Sequence, residues 1–241
     1  TGTNQISELN SDNGNINKIA NSGNILSLGT EFHALNIDGD LTGSVGNINM
    51  DAGNDVSLYN VKDYTYDYHF KQTQKMSLGS VVATTAIGGI WAGGAAGVIG
   101  GSTKKSMKED YNETITGSIL NAASNVSINS GNDTNITGSE IYSNILTSIN
   151  AGNDVNIKSA EAKLSSQSNI SKKSIANSSI RGLNDSATIN VGSEIYTNGD
   201  LVIRSDNNVN IHGSETASLK DTTIIADNEI NITAATNTYS E

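Results

Sequence analysis

The chain has no cysteine and no proline among its 241 residues, and each absence restricts what it can be. Without cysteine there is neither a disulfide framework nor a cysteine-ligated metal site. Without proline every residue can donate its backbone N–H, which suits uninterrupted strand ladders on all sides of a sheet structure. Aromatic residues make up only 5% of the chain, so we expect a narrow core filled by Val, Ile and Leu.

Basic residues are also scarce. Lys and Arg number 14 against 25 Asp and Glu, which gives a formal net charge of −11. A surplus of negative charge repels phosphate groups, so it argues against nucleic acid and against anionic membrane surfaces as partners. The chain begins at Thr1 without Met or a signal peptide, which indicates a piece of a longer protein.

What the chain does contain is an internal repeat with a period of 75 residues. Residues 117–140 align without a gap on residues 192–215, and a related block follows 21 residues further along in both copies. A fixed internal period is typical of stacked architectures, in which each unit buries its apolar face on the next.

The repeated unit has the pattern of a short strand. Two turn-forming residues precede an apolar–polar–apolar triplet, as in Asn54-Asp55-Val56-Ser57-Leu58 and Asn153-Asp154-Val155-Asn156-Ile157. Successive strands alternate between spacings of about 8 and about 21 residues, and the longer spacing suits one coil of a parallel β-helix with three short faces. We therefore predict an all-β solenoid with about 21 residues per coil over residues 24–62 and 115–236.

The pattern also assigns residues to the core and to the corners of the coils. Asp133 and Asp154 would stack about 5 Å apart and repel one another, so we expect their carboxylates to point to solvent. The structural corner residues are Asn54, Asn132, Asp133, Asn153, Asp154, Asn207 and Asn228. The expected inward residues are Val56, Val126, Ile128, Ile136, Val155, Ile157, Leu201, Ile203, Val209, Ile211, Ile230 and Ile232.

Two segments interrupt the pattern and read as insertions. The second is rich in Ser and Lys, fits no regular period, and is predicted to be a mobile or edge-strand excursion. The predicted organisation is β-helix coils in 1–62, an aromatic and Gly-rich apolar insertion in 63–114, coils in 115–160, the Ser/Lys-rich excursion in 161–188, and coils in 189–241.

The first insertion is the strongest functional indication in the sequence. Four aromatic residues alternate with polar ones, and the following residues 76–103 contain no charge, a stretch longer than the roughly 20 residues that span a bilayer as a helix. Glycine recurs there at every fourth position, which gives a smooth helix face for close packing and possible self-association. The membrane-active candidates are Tyr64, Tyr66, Tyr68, Phe70, Val81, Val82, Ile87, Gly89, Ile90, Trp91, Gly93, Gly97, Val98, Ile99 and Gly101.

Other structures are compatible with the same insertion. The Gly-rich stretch could form a β-hairpin that turns near Gly88-Gly89, because each Gly disfavours a helix in water by about 1 kcal/mol. It could also be a flap that lies on the solenoid, and the aromatic stripe could pack on the flank of the solenoid. Helix, hairpin and flap therefore all remain open.

The repeats resemble those of a known family. Residues 130–141 read S-G-N-D-T-N-I-T-G-S-E-I, residues 149–160 read I-N-A-G-N-D-V-N-I-K-S-A, and a Ser/Lys-rich break follows. This order is similar to the haemagglutinin repeats of filamentous haemagglutinins, which are exoproteins of two-partner secretion systems. It resembles most the second repeat region of contact-dependent growth inhibition toxins. The resemblance covers residues 115–236 well and 24–62 more loosely.

The resemblance implies a right-handed parallel β-helix that is exported through an outer-membrane two-partner secretion transporter. It also implies a protein that is secreted or held at the cell surface of a Gram-negative bacterium. In the toxins, such a region is expected to associate with the target cell's outer membrane and to help deliver a C-terminal toxin. The alternative that the resemblance leaves open is an adhesin stalk or a host-binding surface.

Neither an enzyme nor a cofactor is indicated. The three histidines, His33, His69 and His212, are scattered, and no phosphate-binding loop, zinc spacing or nucleophile motif occurs. Residues 131–134, Gly-Asn-Asp-Thr, resemble the calcium-binding nonapeptide repeat, but they recur after 21 residues rather than after nine. We therefore expect no metal site.

Overall fold

The computed structural model describes residues 2–12, 14–35, 45–75, 102–174 and 178–240, and every regular element within them is a β-strand. The chain divides into two compact units. The first comprises Thr1–Tyr64, Glu113–Ala162 and Thr188–Thr238, and the second comprises Thr65–Asn112, Lys163–Ala187 and Tyr239–Glu241.

The first unit contains three parallel sheets of six strands each, which the chain visits in turn. We call them the first, second and third faces. The first face consists of β1 Ser7–Asp12, β4 Thr30–Leu35, β9 Ile119–Ala122, β12 Glu140–Ser143, β17 Glu194–Thr197 and β20 Glu215–Ser218. The second face consists of β2 Ile16–Ala20, β5 Ile48–Ala52, β10 Asn125–Ser130, β13 Leu146–Ala151, β18 Asp200–Ser205 and β21 Thr222–Ala226. The third face consists of β3 Ile25–Leu28, β6 Val56–Tyr59, β11 Thr134–Thr137, β14 Val155–Lys158, β19 Asn208–His212 and β22 Glu229–Thr233.

The strand register explains the internal period of the sequence. Asn135 lies opposite Asn156, 21 residues later, and Asn156 lies opposite Asn210, 54 residues later. A plain coil therefore takes 21 residues and the coil with the second excursion takes 54, and together they make the 75-residue repeat. This confirms the predicted parallel β-helix, and β1 is its first strand among the described residues.

The core of the first unit is a narrow column of aliphatic side chains. Ile128, Ile149 and Ile203 stack in register on the second face, and each is fully buried. Burying an aliphatic side chain of this size contributes about 1.5–3 kcal/mol. Of the residues predicted to point inward, ten are buried: Val56, Val126, Ile128, Ile136, Val155, Ile157, Leu201, Ile203, Val209 and Ile211.

The last two residues of that prediction are not buried. Ile230 and Ile232 lie in register with Val209 and Ile211, but they are 47% and 66% exposed. Their strand, β22, is the end strand of the third face. The alternating pattern identified which way these side chains point, but burial also requires a further coil, and the described residues contain none beyond β22.

Hydroxyl pairs occupy some inward positions where one face meets the next. Ser130 and Thr134 are both buried, and their hydroxyl oxygens lie 2.8 Å apart. On the following coil the same two positions hold Ala151 and Val155. In these two coils a hydroxyl at one position is matched by a hydroxyl at the other, because a buried hydroxyl without a partner is destabilising. One coil further the two positions hold Ser205 and Val209, and the Ser205 hydroxyl donates to the backbone carbonyl of Asn153 instead.

This matching predicts a compensating pair of substitutions. Val155→Thr alone should lower the free energy of unfolding by about 1–3 kcal/mol, because its hydroxyl would face the methyl group of Ala151. Adding Ala151→Ser should recover most of that loss by recreating the Ser130–Thr134 arrangement one coil later. Urea unfolding of the wild type, both single variants and the double variant would measure the coupling. Additive effects would show that the hydroxyls do not pair.

The corner between the third and first faces is marked by a Gly-Ser pair. Gly138 and Gly213 have φ of 53° and 55°, a left-handed conformation that favours glycine, and they turn the chain directly into the next coil. Buried serines of these Gly-Ser pairs connect the coils. The hydroxyl of Ser139, which follows Gly138, accepts the N–H of Ser118 at 3.1 Å, and the hydroxyl of Ser193, which follows Gly192, accepts the N–H of Ser139 at 3.3 Å. Both excursions leave after a third-face strand and return at such a Gly-Ser pair, before β9 and before β17.

The excursions and the last strand form a fourth sheet, which we call the long-strand sheet. Its order is β23-β16-β15-β8-β7, and β8 and β15 are antiparallel. The strands are β7 Val61–Lys75, β8 Ser102–Thr116, β15 Ala160–Ser174, β16 Ser178–Val191 and β23 Thr238–Ser240.

Residues 161–188, predicted to be a mobile or edge-strand excursion, contain most of two long strands of this sheet. β15 has 15 residues and lies between β8 and β16, whereas β16 has 14 residues and is flanked on its other side only by the three-residue β23. Their Ser-rich composition offers no apolar alternation, so the sequence pattern did not indicate them. Their hydrogen bonds depend on strands that are distant in sequence, as in the pairing of Ser168 with Lys108.

Candidate functional site

The predicted corner residues form a continuous ladder of Asn and Asp side chains before the third face. The carboxylate oxygen Oδ1 of Asp133 accepts the side-chain amide of Asn153 at 2.7 Å and the backbone N–H of Asp154 at 3.1 Å. Asp154 accepts the same two kinds of donor from Asn207 and Asn208 on the next coil, at 2.9 and 3.0 Å. The ladder begins at Asn24, which accepts from Asn54, and ends at Asn228, which donates to Asn208.

The expectation that Asp133 and Asp154 point to solvent is wrong. Both are half-buried, and each carboxylate is bonded to donors on the following coil. Charge-assisted bonds of this kind are stronger than neutral ones, so they offset the repulsion between stacked carboxylates. Asn24 and Asn208 take the same place in the ladder as the aspartates. The position therefore requires an acceptor oxygen rather than a charge.

The ladder predicts different effects for two substitutions of Asp133. Asp133→Asn should change the free energy of unfolding by less than about 1 kcal/mol, because an amide oxygen can still accept both bonds. Asp133→Ala should lower it by about 2–4 kcal/mol, because the Asn153 amide and the Asp154 N–H both lose their acceptor. Urea unfolding would measure both, and equal losses would contradict the ladder.

The candidate contact residues in the described part of the first insertion form an exposed aromatic stripe on β7. Tyr64, Tyr66, Tyr68 and Phe70 are 47%, 48%, 51% and 53% exposed. Alternate side chains of a strand point to opposite faces, so the four rings share one face. β7 is also the last strand in the order of the long-strand sheet, and at Tyr64 its backbone pairs with Gly2.

Two side chains of this sheet, Tyr66 on β7 and Asp110 on β8, have shifted pKa values. Partial burial and the carboxylate of Glu109 raise the pKa of Tyr66, so this phenol stays neutral at physiological pH. Asp110 accepts hydrogen bonds from Lys108 at 2.6 Å and from Ser166 at 2.7 Å, and both bonds lower its pKa.

The remaining membrane-active candidates lie outside the described residues. They are Val81, Val82, Ile87, Gly89, Ile90, Trp91, Gly93, Gly97, Val98, Ile99 and Gly101. In the part of the chain that is described, no helix has the length and hydropathy needed to cross a bilayer.

The histidines were interpreted as scattered, yet His33 has acidic neighbours. Glu8, Glu31 and His33 place ligand atoms within 4.8 Å of one another on the first face. However, both ring nitrogens of His33 already contact side chains of the protein, with Nε2 at 3.2 Å from Glu31 and Nδ1 at 3.2 Å from Asn121. This arrangement is explained by side-chain hydrogen bonds of the histidine ring.

Sequence reasoning identified the second insertion as Lys-rich but missed that the long-strand sheet brings the basic residues of both insertions together. Lys104 on β8 lies directly opposite Lys172 on β15, in two segments that are far apart in the sequence. The net charge of the whole chain did not reveal this cluster of basic residues, because the 25 acidic residues lie elsewhere in the sequence. Counting charge segment by segment would have found it, since residues 68–75, 102–108 and 168–184 contain no Asp or Glu.

Comparison with known proteins gives one family. The family model described as Hemagglutinin repeat matches residues 1–173 and 174–241. Neither a curated protein nor a solved structure gives a significant match.

Proposed function

Because the chain belongs to the haemagglutinin-repeat family, we propose that it associates with the outer membrane of a target cell and helps to deliver a C-terminal toxin. Proteins of this family are secreted or exposed at the surface of Gram-negative bacteria, and the repeat is structural rather than catalytic. In this proposal the coils are a rigid non-enzymatic support, and the first insertion makes the membrane contact.

The observation that supports the proposal is the exposed aromatic stripe on β7. Tyr and other aromatic rings favour the boundary between lipid and water, where one end of the ring is apolar and the other is hydrated. β7 ends at Lys75, and the residues that follow it in the sequence carry no charge as far as Thr103. A stalk would not need either feature.

Export is the second part of the proposal. The chain would leave the producing cell through an outer-membrane transporter of a two-partner secretion system. The absence of cysteine supports this route, because a chain that crosses a pore unfolded cannot hold stable disulfides. The parallel coils can then form one after another, since each coil contacts only its neighbours.

Deleting Leu78–Gly101 tests the membrane role. The coils should still unfold at the same urea concentration, because their core residues lie elsewhere, while binding to liposomes of outer-membrane lipids should fall at least tenfold. The matched control replaces the same 24 residues with a Gly/Ser linker of equal length, which should also lose binding. Flotation of the liposomes measures the bound fraction.

A deletion variant that binds these liposomes as well as the intact chain would contradict the proposal. The alternative function, an adhesin stalk or host-binding surface, would then be favoured. In that case the aromatic stripe would be a site for a protein or glycan receptor.

A further inference from the structure

The charges of this chain are segregated. All 25 acidic residues lie outside residues 68–75, 102–108, 168–174 and 178–184, which are parts of β7, β8, β15 and β16. Eight of the 14 basic residues lie inside them: Lys71, Lys75, Lys104, Lys105, Lys108, Lys172, Lys173 and Arg181. We call this part of the long-strand sheet the lysine end.

The strand pairing brings these cations together. Lys104 is paired with Lys172, Lys105 with Ser171, and Thr103 with Lys173 across β8 and β15. Directly opposed residues of an antiparallel pair have Cα atoms about 4.5–5.5 Å apart, so the side chains of Lys104 and Lys172 leave the sheet side by side. Like charges at this spacing destabilise a sheet unless an anion lies between them.

The described part of the chain supplies little to neutralise the lysine end. Lys71, Lys75, Lys104, Lys105 and Lys172 are exposed, and none of them makes an ion pair with another described residue. Lys108 is the exception, since its ammonium contacts Asp110 at 2.6 Å. The lysine end is therefore a surface that would gain from an external anion.

We propose that the lysine end binds the phosphate groups of an anionic lipid surface. This inference rests on the proposed membrane role and adds the chemistry of the headgroup. Charge complementarity supplies the attraction, and each Lys near such a surface strengthens binding by about fivefold. The net charge of −11 argued against anionic membranes for the chain as a whole, but its effect on the lysine end is weakened, because the screening length of about 8 Å at physiological salt is short compared with a protein.

Two features favour lipid over nucleic acid. The family is found outside the cell or at its surface, where lipid headgroups are in reach. The aromatic stripe on β7 also lies next to the lysine end, with Tyr64 to Phe70 on one face of the strand and the following Lys71 and Lys75 on the other. Aromatic rings favour the boundary of a bilayer, and lysines favour its anionic headgroups.

The test compares vesicles of phosphatidylcholine with vesicles that also contain 30% phosphatidylglycerol, about one anionic lipid in three, in flotation assays with the whole chain. The wild type should bind the anionic vesicles at least tenfold more strongly, and this preference should shrink as salt increases. The variant K104Q/K105Q/K172Q should lose most of the preference. The matched control K158Q/R204Q/K220Q removes three exposed cations from the first unit and should keep it.

Several results would overturn the inference. Equal wild-type binding to both vesicles would do so while leaving the proposed membrane role intact, and binding to neither would remove both. Unchanged anionic preference in K104Q/K105Q/K172Q would show that other residues bind the headgroups. Stronger binding to duplex DNA than to anionic vesicles would assign the lysine end to nucleic acid. Loss of self-association in the same variant without lipid, measured by sedimentation, would assign it to the acidic coils of a second copy.

Discussion

The structure depends on one constraint, the exact stacking of each coil on the previous one. In a parallel β-helix, every residue lies directly above an equivalent residue at the strand spacing of about 4.8 Å. Each position must therefore suit its own counterpart one coil away. Ile128, Ile149 and Ile203 satisfy this as an aliphatic column, and Asp133 and Asp154 satisfy it as acceptors for amides on the next coil. Excursions are tolerated because each returns at a Gly-Ser pair with the register restored.

The same constraint explains how much could be predicted from the sequence. Stacking repeats the pattern, so the 75-residue period and the alternation around Val155 were sufficient for the fold and for ten core residues. Prediction from the sequence failed for residues whose structural partner is not the equivalent residue of a neighbouring coil. Ile230 and Ile232 have no coil beyond them among the described residues, and β15 pairs with β8 across a long sequence separation. The role of Asp133 was misjudged because only the repulsion from the Asp154 carboxylate was considered. The hydrogen bond from the amide of Asn153 was not.

The candidate site was only partly accessible to the same reasoning. The period-2 aromatic residues of β7 could be identified because they belong to a single strand, and all four are about half exposed. The opposed lysines could not, because Lys104 and Lys172 meet only when two excursions are joined in one sheet. The coils thus form a repeating support. The long strands between them bring together side chains that are not part of the repeat. This division agrees with a family whose repeats are structural.

The most direct test of the stacking register is a distance between two spin labels. Ser127 and Val202 are outward residues of the second face that flank Ser148 on consecutive coils, and the chain has no native cysteine to interfere. Labels on S127C and V202C should lie about 10 Å apart, two strand spacings, although 75 residues separate them. Dipolar broadening in the continuous-wave spectrum, absent from either singly labelled chain, is the predicted result. Sharp spectra without broadening would contradict the stacked coils.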